Sequence, residues 1–152
     1  MAIYEKEGDL LESGCDYICH QCNCQGSMAA GIAKSIAEKY PRAADKYFEK
    51  CTNDKNPLGK SQFVYIEEEE DVVIINMFSQ KYYGRRGQRY TNYEAFYKCL
   101  EEIAAAAEPG ATIGFPERIG CDRAGANWNI IKTMITEVLS DKFEVYIYHL
   151  PN

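Results

Sequence analysis

The stretch that decides the fold is His20-Gln21-Cys22-Asn23-Cys24-Gln25-Gly26-Ser27-Met28-Ala29-Ala30-Gly31-Ile32-Ala33-Lys34. It passes from a strand-like apolar segment through a loop of small residues into a helical pattern that continues to Lys39. A turn of that kind leaves N–H groups at the helix start without partners, and the helix dipole adds partial positive charge there. The stretch lacks the Gly-x-x-x-x-Gly-Lys-Ser/Thr pattern, so it carries no lysine and hydroxyl set for a γ-phosphate and magnesium. It reads as a cradle for a phosphate-bearing ligand.

Outward from this point, strands and helices alternate. Ala2 to Tyr4 and Asp16 to Asn23 read as strands, and Met28 to Lys39 as a helix with Ile32 and Ile36 on one side. Pro41 suits the first turn of a second helix, Arg42 to Cys51. Gln62 to Ile66 and Val72 to Met77 read as adjacent strands with the acidic run Glu67 to Asp71 as their turn. Thr91 is a candidate cap for a helix from about Asn92 to Glu108, which Pro109-Gly110 ends. Ala111 to Pro116 is a strand, Trp128 to Leu139 the last helix, and Phe143 to His149 the last strand.

This order predicts a single α/β domain over residues 1–152, a three-layer α/β/α sandwich around a mixed, mostly parallel sheet. In such sheets ligands bind beyond the carboxyl ends of the strands. Two small-residue loops, Gly26 to Gly31 and Gly120 to Gly125, each lie between a strand and a helix. If they share one sheet edge they clamp one ligand from two sides, and a pair of phosphate cradles points to a diphosphate.

Composition narrows the partners. The chain has 152 residues, 46% hydrophobic and 26% charged, with a formal net charge of −6. That charge opposes sequence-independent binding along a nucleic-acid backbone. No apolar run approaches the roughly 20 residues of a membrane-spanning helix, and no basic-then-apolar start marks export. The seven cysteines are an odd number, which with no export signal fits a reduced cytoplasmic set better than a disulfide framework. Cys15, Cys19, Cys22 and Cys24 crowd around His20, but on a strand Cys19 and Cys22 face opposite sides, so the expectation is no metal site. Lys81 to Arg89, with Arg85 and Arg86, is either a solvated loop or an anion contact.

Taken together, the residues resemble a macro domain, the ADP-ribose-binding fold. The resemblance runs over nearly the whole chain. It rests on Gly8-Asp9-Leu10, the His20 to Lys34 stretch, Leu58-Gly59-Lys60, Asn76-Met77-Phe78-Ser79-Gln80, Tyr90 to Tyr93, and Pro116-x-x-Ile119-Gly120-Cys121 to Trp128. It is strongest toward phage and bacterial stand-alone macro domains and the terminal ADP-ribose glycohydrolase branch.

The resemblance implies that Asp9, with Leu10 beside it, accepts a hydrogen bond from the adenine amine and that Asn23 faces the distal ribose. It gives one phosphate to the N–H groups of Gly31, Ile32 and Ala33. The other phosphate and the distal ribose fall to Gly120, Cys121, Asp122, Arg123, Ala124 and Gly125. The glycohydrolase group carries a lysine where this chain has Gln80 and an aspartate where it has Ala124, with Lys81 one residue late and Asp122 two early. Side chains alternate in extended backbone, so a one-residue offset turns a side chain away. The covalent lysine mechanism is therefore not carried over, although a Schiff base from Lys81 is one option.

The expected function is binding of ADP-ribose with hydrolysis of a derivative at the distal ribose, either ADP-ribose 1″-phosphate or an O-acyl or ester-linked ADP-ribose. No cofactor is implied. Asn23, His20 and Asp122 are the candidates to orient or activate water. His20 is equally open to being a packed core residue. Two other readings stand beside this one: an ADP-ribose reader without chemistry, and a small zinc- or nucleic-acid-binding protein. Nucleic acid is otherwise expected only as an ADP-ribosylated substrate.

Overall fold

The computed structural model describes residues 2–67, 71–84 and 86–150. Most of the acidic turn expected at 67–71, and Arg85 of the basic loop, lie outside the described residues. The strands are β1 Ile3–Glu7, β2 Tyr17–Cys22, β3 Ser61–Ile66, β4 Val72–Phe78, β5 Thr112–Pro116 and β6 Glu144–His149. The helices are α1 Gly31–Lys39, α2 Pro41–Asn53, α3 Tyr93–Ala106 and α4 Trp128–Leu139, with a short 3-10 turn at Leu10–Glu12. The strands form one six-stranded sheet in the order β1-β6-β5-β2-β4-β3. Every neighbouring pair is parallel except β3 with β4.

Alternation along β2 and β4 divides the interior into two cores. Tyr17, Cys19, Ile75 and Met77 face a core built with Phe96, Leu100 and Ile103 of α3 and Ile131 and Ile135 of α4. Ile18, Cys22, Ile74 and Phe78 face the other, with Ile36 of α1 and Ala43, Ala44 and Tyr47 of α2. Two strand faces, each buried under a helix pair, make the three-layer sandwich that the sequence predicts. Cys19 and Cys22 thus belong to different cores. Among the described residues no group of three or more His, Cys, Asp or Glu is arranged to hold a metal.

Several boundaries differ from the sequence reading, and at the start of α1 and the cap of α3 the reason is identifiable. Helix α1 begins at Gly31 rather than Met28, because Met28 is buried in the α1/α2 core and Gly31 enters the helix with φ +60°. The cap of α3 is Asn92, whose side chain accepts from the Ala95 N–H at 2.9 Å. Thr91 instead donates its hydroxyl to the Gly120 carbonyl at 2.7 Å, tying α3 to the loop after β5.

His20 sits opposite Asn76 in the β2–β4 register and is fully buried on the α1/α2 side. The Asn76 amide N–H groups are spent on the Ala43 carbonyl at 3.2 Å and Gln62 Oε1 at 2.9 Å. Its Oδ1 therefore accepts from His20 Nε2–H at 2.5 Å, which fixes the neutral tautomer. Burial lowers the His20 pKa to about 4, against a smaller upward pull from the Asn76 hydrogen bond. Between the unfolded value near 6.5 and about 4, the unfolded chain takes up a proton that the folded chain refuses. Stability from this residue is complete above about pH 6.5 and is lost as pH falls toward 4. Denaturant unfolding at pH 7 and pH 5 should show wild type losing about 2 kcal/mol more than His20→Gln. Equal losses would contradict this account of His20.

Candidate functional site

Strands β2 and β5 are neighbours, and their chains leave the sheet in opposite directions: β2 leads to α1 on one face and β5 to α4 on the other. A crevice opens at the carboxyl edge where connections diverge in this way. Here it is a groove of two joined chambers, about 820 Å³ and about 400 Å³. Gln21, Ala30, Ala33, Gln80, Arg123 and Ala124 line both.

The loop after β2 forms one wall. Ala30 precedes α1 and offers no capping side chain, so the N–H groups of Gly31, Ile32 and Ala33 have no partner among the described residues. All three residues line the larger chamber. The loop itself is clasped from within. Asn23 Oδ1 accepts from the Gln25 N–H at 2.9 Å and the Tyr47 hydroxyl at 2.7 Å, and Nδ2 donates to the Ser27 carbonyl at 2.9 Å. The Tyr47 hydroxyl also accepts from the Ser27 N–H at 3.0 Å. Tyr47 rises from α2 beneath the loop, stacked on Phe78, and burial pushes its ionisation well above the usual phenol range.

The loop after β5 forms the facing wall. Gly120, Asp122, Arg123 and Ala124 line the groove, and their N–H groups have no acceptor among the described residues. The segment before α3 holds this loop in place through the Tyr90 and Thr91 N–H groups, which donate to the Ala124 carbonyl at 2.7 and 3.1 Å. Gly120 has φ +76°, and a side chain there would meet Gln21 Oε1 at 2.8 Å and Thr91 Oγ1 at 2.9 Å. Two strand-to-helix loops with unpaired amides therefore stand across one cavity, a geometry suited to an anion with two phosphate centres.

The other sequence candidates separate into those at the groove and those away from it. Asp9 and Leu10 line the far end of the larger chamber, where Asp9 Oδ1 also accepts from the Leu11 N–H at 2.9 Å. Asn23 lines the smaller chamber while serving its loop. Gln80 lines both chambers, accepting from Gln21 Nε2 at 2.7 Å and donating to the Tyr82 carbonyl at 2.8 Å. Asp122 lines the larger chamber with its carboxylate 3.0 Å from Arg118 Nε. Cys121 lines it as well, its thiol pushed up to about 11 by burial.

Three candidates are not at the groove. His20 is sealed in the α1/α2 core and reaches no water in the cavity. Lys81 lines neither chamber; its ammonium lies 5.5 Å from the centre of the Tyr82 ring while its carbonyl accepts from the Cys24 N–H. Gly125 has φ +73° and is packed against the backbone of Gln88 and Arg89, where it shapes the loop without lining the groove.

Several groove residues escaped the sequence reading. Gln21 lies under both chambers and donates to Gln80 and Thr91 while accepting from Ser79 Oγ. Its signal was a polar residue on a strand otherwise buried. Tyr148, His149 and Leu150 close the far end, and Glu117 and Arg118 join them. Only the position of β6 in the sheet reveals that group. Tyr83 and Tyr90, tyrosines that the sequence offers either as pocket edges or as exposed loop aromatics, wall the smaller chamber.

The sandwich and the double-walled groove define an α/β domain with an anion-binding cleft at the carboxyl edge of its sheet. The sequence pattern of the macro domain family matches residues 19–135, and the chain belongs to that family. It is similar to the ADP-ribose 1″-phosphate phosphatase of Saccharomyces cerevisiae, 38% identical over 66 residues, 43% of this chain and 37% of that protein. The enzyme of the same name from Lodderomyces elongisporus is 25% identical over 136 residues, 86% of this chain and 85% of its own length. Among solved structures, a protein of unknown function from Bacteroides thetaiotaomicron superposes with a TM-score of 0.83 at 29% identity, covering 98% of both chains.

Tyr47→Phe removes the hydroxyl that clasps the loop after β2 and leaves buried groups short of a partner. Thermal unfolding should fall by roughly 2–8 °C, for about 1–2 kcal/mol. Hydrogen exchange at the Ser27 amide should quicken. Unchanged exchange there would contradict the clasp.

Proposed function

We propose that the protein binds ADP-ribose along the groove and hydrolyses an ADP-ribose derivative at the distal ribose, either ADP-ribose 1″-phosphate or an O-acyl or ester-linked ADP-ribose. The observation that carries this reading is the pair of unpaired amide sets, at Gly31, Ile32 and Ala33 and at Gly120, Asp122, Arg123 and Ala124, across one cavity. The adenosine lies in the larger chamber with its amine toward Asp9, and the diphosphate between the loops. The distal ribose enters the smaller chamber beside Asn23, Tyr83 and Tyr90. Kinship with two phosphatases of ADP-ribose 1″-phosphate supports the reaction class. All seven cysteines are free thiols, which supports a reducing, cytoplasmic setting.

The chemistry rests on positioning and charge rather than on a strong base. His20 is sealed and Lys81 lies outside, so neither His20 as a base nor a Schiff base from Lys81 is invoked. The grip on the diphosphate holds the distal centre against a water molecule, and fixed N–H donors stabilise the charge that develops. The ligand's own diphosphate accepts the water proton. Turnover is accordingly slow.

A non-catalytic reader of ADP-ribose is the second reading. It is favoured by the smaller chamber, whose lining among the described residues holds no carboxylate, imidazole or lysine. Calorimetric titration with ADP-ribose, followed by incubation with ADP-ribose 1″-phosphate and O-acetyl-ADP-ribose, separates the two. The enzyme reading expects release of phosphate or acetate, whereas tight binding with neither product leaves the reader. Asp9 gives a second test. Asp9→Asn keeps an acceptor for the Leu11 amide but loses the charge, and should weaken ADP-ribose by about 1–3 kcal/mol without lowering thermal stability. Asp9→Ala should weaken it similarly and also lose about 1 kcal/mol of stability with the cap. Unchanged affinity in both would remove the adenine role.

A further inference from the structure

Two charged side chains along the groove, Asp9 and Arg123, have no ionic partner among the described residues. Arg118 holds Asp122 at 3.0 Å, and His149 holds Glu117 at 3.0 Å. Asp9 stands exposed at the far end. Arg123 lines both chambers, is exposed, and has no anionic partner among the described residues. Among the described residues it is also the one charged residue in the lining of the smaller chamber. The groove is therefore polarised, with the Asp9 carboxylate in the larger chamber alone and an uncompensated guanidinium where the two chambers join.

Resting on the ADP-ribose reading, we infer that the smaller chamber is a subsite for an anionic group carried on the distal ribose, with Arg123 as its specificity residue. The diphosphate already has amide donors from both loops, so it does not need this side chain. A chamber of about 400 Å³ lies within the size range of whole small-molecule sites and accommodates a ribose together with a substituent. An unpaired guanidinium in such a recess favours a phosphate, to which it donates two parallel hydrogen bonds, over an uncharged acyl group. Asp122 would oppose such a charge if it were free, but Arg118 neutralises it. Asp9, which lines only the larger chamber, disfavours the reversed orientation of the same ligand.

The test is displacement of a fluorescent ADP-ribose by ADP-ribose, ADP-ribose 1″-phosphate and O-acetyl-ADP-ribose, read before turnover accumulates. Wild type should bind the 1″-phosphate at least about tenfold more tightly than the acetyl ester, and added salt should shrink that preference. Arg123→Gln should bring the ratio close to one, and Arg123→Lys should retain part of it. Three results would overturn the subsite: equal affinities in wild type, a preference that survives in Arg123→Gln, or equal weakening of all three ligands in Arg123→Gln. The last outcome would place Arg123 on the diphosphate instead. Should Arg123→Gln not fold, the wild-type ratio and its salt dependence decide the matter alone. Failure of wild type to bind ADP-ribose at all would strike the nucleotide reading, a result distinct from each of these.

Discussion

Backbone amides without partners are the constraint on which the rest of this molecule depends. At the ends of β2 and β5 the chain turns toward opposite faces of the sheet, and each turn leaves N–H groups that neither helix nor strand can satisfy. A carbonyl or side chain that folded back onto them would remove the site. The sequence withholds such partners: Ala30 caps nothing, and Gly31 and Gly120 adopt left-handed backbone that keeps the chain open. An anion then completes hydrogen bonds that the fold leaves unmade.

Open amides require stiff surroundings, and the structure supplies them from below. Tyr47 supports the loop after β2 from inside the α1/α2 core. Gln21, Ser79, Gln80 and Thr91 form a connected set of hydrogen bonds beneath both chambers and reach the loop after β5 through the Gly120 carbonyl. Among the described residues no buried side-chain nitrogen or oxygen lacks a partner. A fully satisfied polar layer of this kind holds a single geometry, whereas a half-satisfied one would cost stability and definition.

The fold was legible in the sequence because periodicity reports burial, and burial under two helix pairs is what this sheet requires. The span of α4 matches its apolar spacing, and the opposite facing of Cys19 and Cys22 follows from the alternation of a strand. The open turns after β2 and β5 were legible for the same local reason, since glycines between a strand and a helix mark them. What stayed hidden depends on who faces whom. Gln21 and Tyr148 reach the groove only because of strand order, which no local pattern encodes. His20 had the right chemistry for a base, yet a strand places it by parity, and parity put it in the core. Asn23 and Asp122 carry suitable groups whose neighbours had already claimed them.

The most direct measurement of the central claim is an amide chemical-shift titration of the isotope-labelled protein with ADP-ribose. The account predicts that the N–H resonances of Gly31, Ile32 and Ala33 and those of Gly120, Asp122, Arg123 and Ala124 move together, saturating at one ligand concentration. Shifts confined to one loop, or centred on residues away from both, would contradict a diphosphate held between two backbone walls.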